Sequence, residues 1–129
     1  MSDSQDIINT ALEIIDAFSS NDRKRYFEMF VPEATFIFYT APRLLDSRAA
    51  YEAEWEAWIR NLEFHVISCV STQQYVQVYG DFAILTHETT THVSTKGGEQ
   101  TAHERETIIF RKISGRWMGV HEHMSLLPS

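Results

Sequence analysis

A chain of 129 residues is long enough for one domain with a buried core, and its formal charge of −7 argues against a surface for binding nucleic acid. Hydrophobic residues make up 43% of the chain and aromatic residues 12%, so we expect part of the aromatic set inside the core or around a cavity. No apolar run approaches the ~20 residues of a membrane-spanning helix. We predict a single domain over residues 1–129 that binds neither nucleic acid nor membrane.

The start of the chain and its one cysteine bear on the cellular compartment. The first residues are polar and acidic, without the basic and then apolar pattern of a signal peptide, so we expect a cytoplasmic location. Cys69 is the only cysteine in the sequence, which excludes an internal disulfide. It lies in an apolar strand pattern, which predicts a buried and unreactive thiol.

The first predicted helix covers residues 4–20. Its apolar residues recur at helical spacing, and Ser2, Asp3 and Ser4 precede them as capping candidates. The helix is expected to pack into the core through four residues, Ile8, Leu12, Ile15 and Phe18.

A short second helix and a first strand come next. Asn21 or Asp22 is expected to cap a helix that holds Tyr26. Pro32 is predicted to end it, because the residue before a proline disfavours helical backbone angles. Residues 34–39 are β-branched and aromatic, which predicts a short strand.

The remaining elements are a third helix over residues 48–60, capped by Ser47, and a second half of the chain with period two. Four long strands are predicted over residues 64–78, 82–94, 101–112 and 116–124. Turns are expected at Gly80-Asp81, at residues 96–99 and at Ser114-Gly115. The order predicts an α+β fold, in which helices cover one face of an antiparallel sheet.

Four short motifs point to one superfamily. They are Ala17-Phe18-Ser19-Ser20-Asn21-Asp22, Phe30-Val31-Pro32-Glu33-Ala34-Thr35, Val78-Tyr79-Gly80-Asp81-Phe82-Ala83, and the terminal Trp117-x-x-Val120-His121-x-His123. With the element order, they resemble the nuclear transport factor 2-like superfamily. Within it the chain is similar to SnoaL-like proteins and to the association domain of calcium/calmodulin-dependent protein kinase II. The resemblance implies a cone-shaped, strongly curved sheet wrapped around three N-terminal helices.

The chain departs from this superfamily at positions that matter for chemistry. Where ketosteroid isomerases carry a catalytic Asp and an oxyanion-stabilising Tyr, this sequence has Phe38 and Ile14, which argues against steroid isomerisation. Where the kinase association domain lines its pocket with arginines, this sequence has Thr89, Ile108 and Met124. The resemblance therefore implies a pocket and does not name its ligand.

The register of the last hairpin decides which side chains face that pocket. A two-residue turn at Ser114-Gly115 sets Glu106 beside His123, whereas a three-residue turn sets Glu106 beside Glu122. The resemblance favours the second register. Under it, the concave face carries Glu106, Ile108, Phe110, Met118, Val120, Glu122 and Met124.

Three residues are the candidates for catalysis. Glu122 and Glu106 would lie among apolar neighbours, where loss of solvation raises a carboxyl pKa toward neutrality. Tyr26 corresponds, under the resemblance, to a pocket tyrosine that donates a hydrogen bond to a ligand oxygen. The alternatives are a rim position or an arginine partner for Glu106 and a core position for Tyr26. Candidates for contact with the substrate are Tyr39, Tyr51, Trp55, Trp58, His87, Thr89, Ile108, Phe110 and Met124.

The six histidines raise the question of a metal site. His121 and His123 lie two residues apart on the last strand, and parity sends His87 and His92 to opposite faces, so only one of these can join them. The two terminal histidines belong to the motif of the resemblance. We therefore predict no metal and no cofactor.

Two classes of function stay open. One is an enzyme, a metal-free lyase, isomerase or cyclase that acts on a small apolar or carbonyl-containing compound by acid–base chemistry. The other is a non-catalytic module for ligand binding or oligomerisation. In either case we expect a homodimer through the outer sheet face, on which the favoured register sets Thr107, Ile109, Trp117, His121 and His123.

Overall fold

Three helices and five strands follow one another in the predicted order, in a computed structural model that describes residues 2–128. Their bounds are α1 Asp3–Ser19, α2 Arg23–Glu28, β1 Phe30–Phe38, α3 Arg48–Leu62, β2 His65–Tyr79, β3 Phe82–Thr95, β4 Gly98–Ile113 and β5 Arg116–Leu126. The sheet has the strand order β1-β5-β4-β3-β2 and is curved and unclosed, with the helices against its concave face. The predicted α+β fold is confirmed.

Each helix begins at a side-chain cap that the sequence predicts. The hydroxyl of Ser2 accepts from the backbone of α1, the carboxylate of Asp22 from that of α2, and the hydroxyl of Ser47 from that of α3. Asn21 does not cap α2. Its side-chain amide instead pairs with both backbone groups of Val66 at 2.9 Å, which ties the α1–α2 junction to β2.

Helix α1 buries a stripe shifted from the predicted one. Ile7, Ala11 and Ile14 are fully buried and Ile15 is 8% exposed, whereas Leu12 is 42% exposed. The prediction that Leu12 packs into the core is therefore wrong. The stripe runs through positions i, i+4 and i+7, and Leu12 lies beside it.

The boundary between α2 and β1 also differs from the prediction. The helix ends at Glu28, and Pro32 lies inside β1 rather than after a helix. This strand is at the sheet edge and pairs in parallel with β5, with an irregular register between Phe30 and Thr35. A proline is tolerated there because an edge strand or a bulge leaves an N–H without a ladder partner.

The last hairpin follows the two-residue register only next to its turn, and farther along Glu106 pairs with Met124 rather than with His123 or Glu122, as the two alternatives had it. Its turn has two residues, since Ile113 pairs with Arg116, so the predicted three-residue turn is wrong. A β-bulge then shifts the register, because Phe110 pairs with Gly119 but Ile109 pairs with His121. The extra residue in β5 is Val120.

The bulge determines which residues of β5 face the concave side. Beyond it, Glu122 pairs with Ile108 and Met124 pairs with Glu106, so these four share the concave face. Before it, the faces are opposite to those predicted. Trp117 is 6% exposed and belongs to the core, which corrects its predicted outer position.

Met118, predicted on the concave face, pairs with Arg111 on the convex one. Val120 is also not in the cavity as predicted, since it is the bulge residue and does not line that space.

Candidate functional site

A cavity of about 430 Å³ lies between the concave sheet face and the helices. Its size falls in the usual range of small-molecule sites, roughly 300–1,000 Å³. Eight of the candidate residues line it: Tyr26, Tyr39, Tyr51, Trp58, Thr89, Glu106, Glu122 and Met124. Strands β3, β4 and β5 supply one wall, and the aromatic residues of the helices and of the end of β1 supply the other.

Four other candidates for substrate contact do not line the cavity. Trp55, Ile108 and Phe110 are buried in the hydrophobic core, and His87 is buried among polar neighbours. These residues support the wall rather than form its surface.

One polar cluster in the cavity lining consists of Tyr26, Glu122 and Glu106. The hydroxyl of Tyr26 donates to Oε1 of Glu122. Glu122 is also hydrogen-bonded to Glu106. This hydrogen bond raises the pKa of Glu122 and lowers the pKa of Glu106. A protonated Glu122 that donates to Glu106 accounts for both directions, so the two carboxyls hold one proton between them.

Burial governs the titration of this group. It raises the pKa of Glu122 well above its usual range, and the nearby charge of Glu106 raises it further. It also raises the pKa of Glu106, to about 7, with a smaller contribution from the charge of Glu104. Burial likewise raises the pKa of Tyr26, so its hydroxyl keeps its proton. A neutral donor and an acid–base pair therefore meet at one wall of the cavity.

His87 lies behind Glu106 and holds it in place. Its Nε2 lies 2.7 Å from Oε1 of Glu106, and its Nδ1 lies 2.6 Å from the hydroxyl of Ser71. Burial lowers the pKa of His87 to about 4, so the ring is neutral at neutral pH. With the proton on Nε2, His87 donates to Glu106 and accepts from Ser71, and the contact is a hydrogen bond rather than an ion pair.

A third carboxylate, Glu104, is a site residue that is missing from the candidates predicted from sequence. It is buried and lines the cavity. Its oxygens accept from the hydroxyls of Thr91 at 2.6 Å and Thr89 at 3.1 Å, and from that of Tyr39 at 2.5 Å. Strand alternation could have found it, because Glu104 and Glu106 lie two residues apart on one predicted strand.

Of the four histidines of the metal hypothesis, only His87, behind Glu106, lies near this cavity. His121 faces away from it and its Nδ1 pairs with the hydroxyl of Thr35 at 2.7 Å, while His92 pairs with Glu99. Within residues 2–128, no cluster of three or more His, Cys, Asp or Glu side chains has the geometry to hold a metal ion. In the same range, no helix is long and apolar enough to cross a bilayer.

Comparisons with known proteins agree with this architecture. A family model described as a SnoaL-like domain matches residues 7–129. None of the curated proteins compared with the chain matches it.

Among solved structures, a nuclear transport factor 2-like protein of Cytophaga hutchinsonii superposes with a TM-score of 0.83 at 10% identity, over 98% of this chain and 100% of that one. A ketosteroid isomerase-like protein of Erwinia carotovora atroseptica superposes with a TM-score of 0.82 at 15% identity, over 99% and 98%. A provisional calcium/calmodulin-dependent protein kinase II association domain of Xanthomonas campestris superposes with 0.82 at 16% identity, over 100% and 91%. At these identities the likeness concerns the fold alone.

Proposed function

The chain belongs to the SnoaL-like domain family, and we propose that it binds a small carbonyl-containing compound in its cavity and transfers a proton to or from it. The reaction class is that of a lyase, isomerase or cyclase working by acid–base chemistry of the chain's own side chains. The observation that carries the proposal is the buried cluster of Tyr26, Glu122 and Glu106 at the cavity wall.

Each member of the cluster has a role that its protonation state suits. Glu106 has a pKa of about 7, so near neutral pH it accepts a proton from a carbon next to the carbonyl group. Protonated Glu122 returns a proton to the product. The neutral hydroxyl of Tyr26 donates to the oxygen on which negative charge develops.

A non-catalytic ligand-binding or oligomerisation module is the second candidate. The structural likeness to the provisional association domain favours it. It would not need a pair of carboxyls that share a proton beside an open cavity. Measured proton transfer therefore distinguishes the two functions.

The test is deuterium exchange in D₂O at the acidic C–H of 2-tetralone, a compact ketone, followed by proton NMR. The chain should accelerate exchange above the buffer rate, and Glu106→Gln and Glu122→Gln should remove the acceleration. Tyr26→Phe should lower it about 10²-fold, the scale of one lost oxyanion donor. Glu99→Gln, an exposed residue of the same strand as Glu106, is the matched control. If the ketone binds and exchange stays at the buffer rate, the module becomes the better description.

We further propose that the convex face joins two chains in a homodimer. Beyond Thr107, Ile109, His121 and His123, this face carries exposed apolar side chains, among them Ile37, Val70, Tyr75, Tyr79, Phe82 and Ile113. A second copy would remove such a surface from water.

A further inference from the structure

The polar lining of the cavity is unbalanced in charge. Glu104, Glu106 and Glu122 are each at most 4% exposed, and all three line the space. Among residues 2–128, no lysine or arginine lines it with them. A ligand that brought a negative charge would therefore meet carboxylates and no counter-charge.

The imbalance is clearest at Glu104, because all of its hydrogen-bond partners are neutral. Three hydroxyls, from Tyr39, Thr89 and Thr91, donate to its two oxygens. Within residues 2–128, no basic side chain lies within ion-pair distance of Glu104. Hydroxyl donors offset part of the cost of burying a carboxylate, and a cation would offset more of it.

The rest of the lining also suits a cation. Aromatic rings surround the space, and the face of each ring attracts positive charge when water is excluded. The rings are those of Phe18, Tyr26, Phe38, Tyr39, Tyr51, Trp58 and Phe64. Aromatic walls and an uncompensated carboxylate are the two features that recognise an organic ammonium group.

We propose that the ligand of this cavity carries a protonated amine that sits against Glu104. This deepens the proposed function, on which it rests for the position of the reacting carbonyl beside Tyr26 and Glu122. Glu104 and Glu106 are two residues apart on one strand, so their backbones are separated by about 7 Å. The ligand is then an amino carbonyl compound in which a short apolar linker separates the two groups.

A metal ion fits the Glu104 site less well than an ammonium group. The hydroxyls of Thr89 and Thr91 already donate to one oxygen of Glu104, and that of Tyr39 donates to the other. A metal would need those lone pairs and further oxygen ligands around it. The oxygen bound by Tyr39 accepts one hydroxyl and keeps one acceptor position, which suffices for a single N–H of an ammonium group whose charge lies against the rings.

A bound cation should also change the titration of the neighbouring acid–base pair. Glu106 is surrounded by titratable groups from several elements, namely Glu104, His87, Glu122, Tyr26 and Tyr51. A positive charge among them stabilises ionised Glu106 and lowers its pKa. Binding of an amine should therefore release protons near pH 7, and its affinity should rise as the pH passes upward through that value.

The experiment compares three probes of similar shape and different charge: 2-phenylethylamine, 2-phenylethanol and phenylacetate. Dissociation constants are measured by NMR titration of the chain at neutral pH. The amine should bind about tenfold more tightly than the alcohol, equivalent to about 1.4 kcal/mol, and phenylacetate more weakly than either. Glu104→Gln keeps an oxygen for the two threonine hydroxyls, and its NH2 group can donate to the oxygen of Tyr39. It should abolish the preference for the amine. Glu99→Gln should leave it unchanged.

The outcomes separate this inference from the proposed function. Equal binding of amine and alcohol, tighter binding of phenylacetate, or an amine preference that survives in a folded Glu104→Gln variant would each overturn the ammonium site. Absence of saturable amine binding would do the same. Glu122→Gln should keep the amine preference while losing exchange of 2-tetralone. Loss of exchange with the amine preference intact thus counts against the proton transfer alone.

Discussion

The buried carboxyls Glu106 and Glu122 shape how the stability of this chain depends on pH. Glu106 has a folded pKa of about 7 and an ordinary value of 4.5, so folding takes up a proton between these pH values. Its contribution to stability is full at low pH and is lost as the pH rises to about 7. Glu122, with a pKa raised in the same direction, acts with the same sign.

His87 opposes them, because its folded pKa of about 4 lies below its ordinary value of 6.5. Over that window the unfolded chain binds the proton, so this contribution grows with pH. Between pH 4.5 and 6.5, folding adds protons to two carboxyls and removes a proton from one imidazole, so the effect of the carboxyls on the pH dependence of stability is the larger one. Through these three groups, we expect stability to fall from weakly acidic toward alkaline pH.

Glu122→Gln should therefore stabilise the fold while it removes proton transfer. The amide still accepts from Tyr26 and donates to Glu106, and it carries no buried charge. We expect the free energy of unfolding at about pH 8 to rise by about 1–2 kcal/mol, within the usual range of a stabilising substitution. Urea unfolding across pH is the measurement, with Glu99→Gln as the control. A variant that is less stable than the parent at alkaline pH would contradict the raised pKa of Glu122.

The sequence identifies individual site residues better than it identifies their hydrogen-bond partners. The alternation of β4 and β5 identifies Glu106 and Glu122 as candidates, since a carboxyl is almost never fully buried unless it is paired. It cannot indicate that His87 donates to Glu106 or that Thr91 donates to Glu104. Those pairs depend on how β3 and β4 register across the sheet, which local patterns do not specify.

Two residues of helix α1 test which of its faces packs into the core. Ile15 lies in the core at 8% exposure, while Leu12, one turn earlier, is 42% exposed. Ile15→Asp should unfold the chain, because an unpaired buried charge costs several kcal/mol. Leu12→Asp should change the free energy of unfolding by about 0.5 kcal/mol or less, as surface substitutions do. Similar losses in thermal melts of the two variants would contradict this orientation of the helix.

The contact between β1 and β5 rests on a glycine. A Cβ on Gly119 would lie 2.5 Å from Cδ1 of the Phe30 ring, closer than such atoms approach, and the backbone N–H of Gly119 donates to the carbonyl of Met29. Gly119→Ala should therefore lower the free energy of unfolding by about 1–3 kcal/mol, as overpacking does. Gly97→Ala, whose Cβ would meet only Thr95 at 3.5 Å, is the control.

A second substitution identifies the cause of that loss. Phe30→Leu should recover part of the stability of Gly119→Ala, because the smaller side chain leaves room for the new methyl group. Purely additive effects of the two substitutions in denaturant unfolding would argue against close packing of Gly119 on Phe30.

The pairing of Gly119 with Phe30 also shows which features of the elements cannot be predicted from the sequence. Caps and turn positions are local, and the caps Ser2, Asp22 and Ser47 and the position of the turn at Ser114-Gly115 are correctly predicted. The bulge at Val120 lies next to the pairing of Gly119 with Phe30, a residue far away in sequence that local patterns do not bring in. The concave position of Glu122 is predicted correctly although the turn length is wrong. The bulge shifts the pairing in the opposite direction to the predicted turn, but either one-residue shift moves Glu122 to the concave face.

The two faces of the curved sheet differ in what covers them. The concave face carries the cavity, whose walls the helices and the end of β1 complete. The convex face has no element of the described chain against it and carries Tyr75, Tyr79 and Phe82 largely exposed. Ile84 and Ile109 pair at its centre and His121 pairs with Ile109.

A second copy of the chain on this face should give a particle of twice the 15.0 kDa chain mass in light scattering at micromolar concentration. Ile109→Lys places a charge at the centre of the face without entering the cavity and should shift the particle to the monomer. Leu44→Lys, at a loop residue that is 52% exposed and lies outside the strands, should leave the mass unchanged. A monomeric parent chain, or an Ile109→Lys variant that stays folded and dimeric, would remove the convex face as the interface.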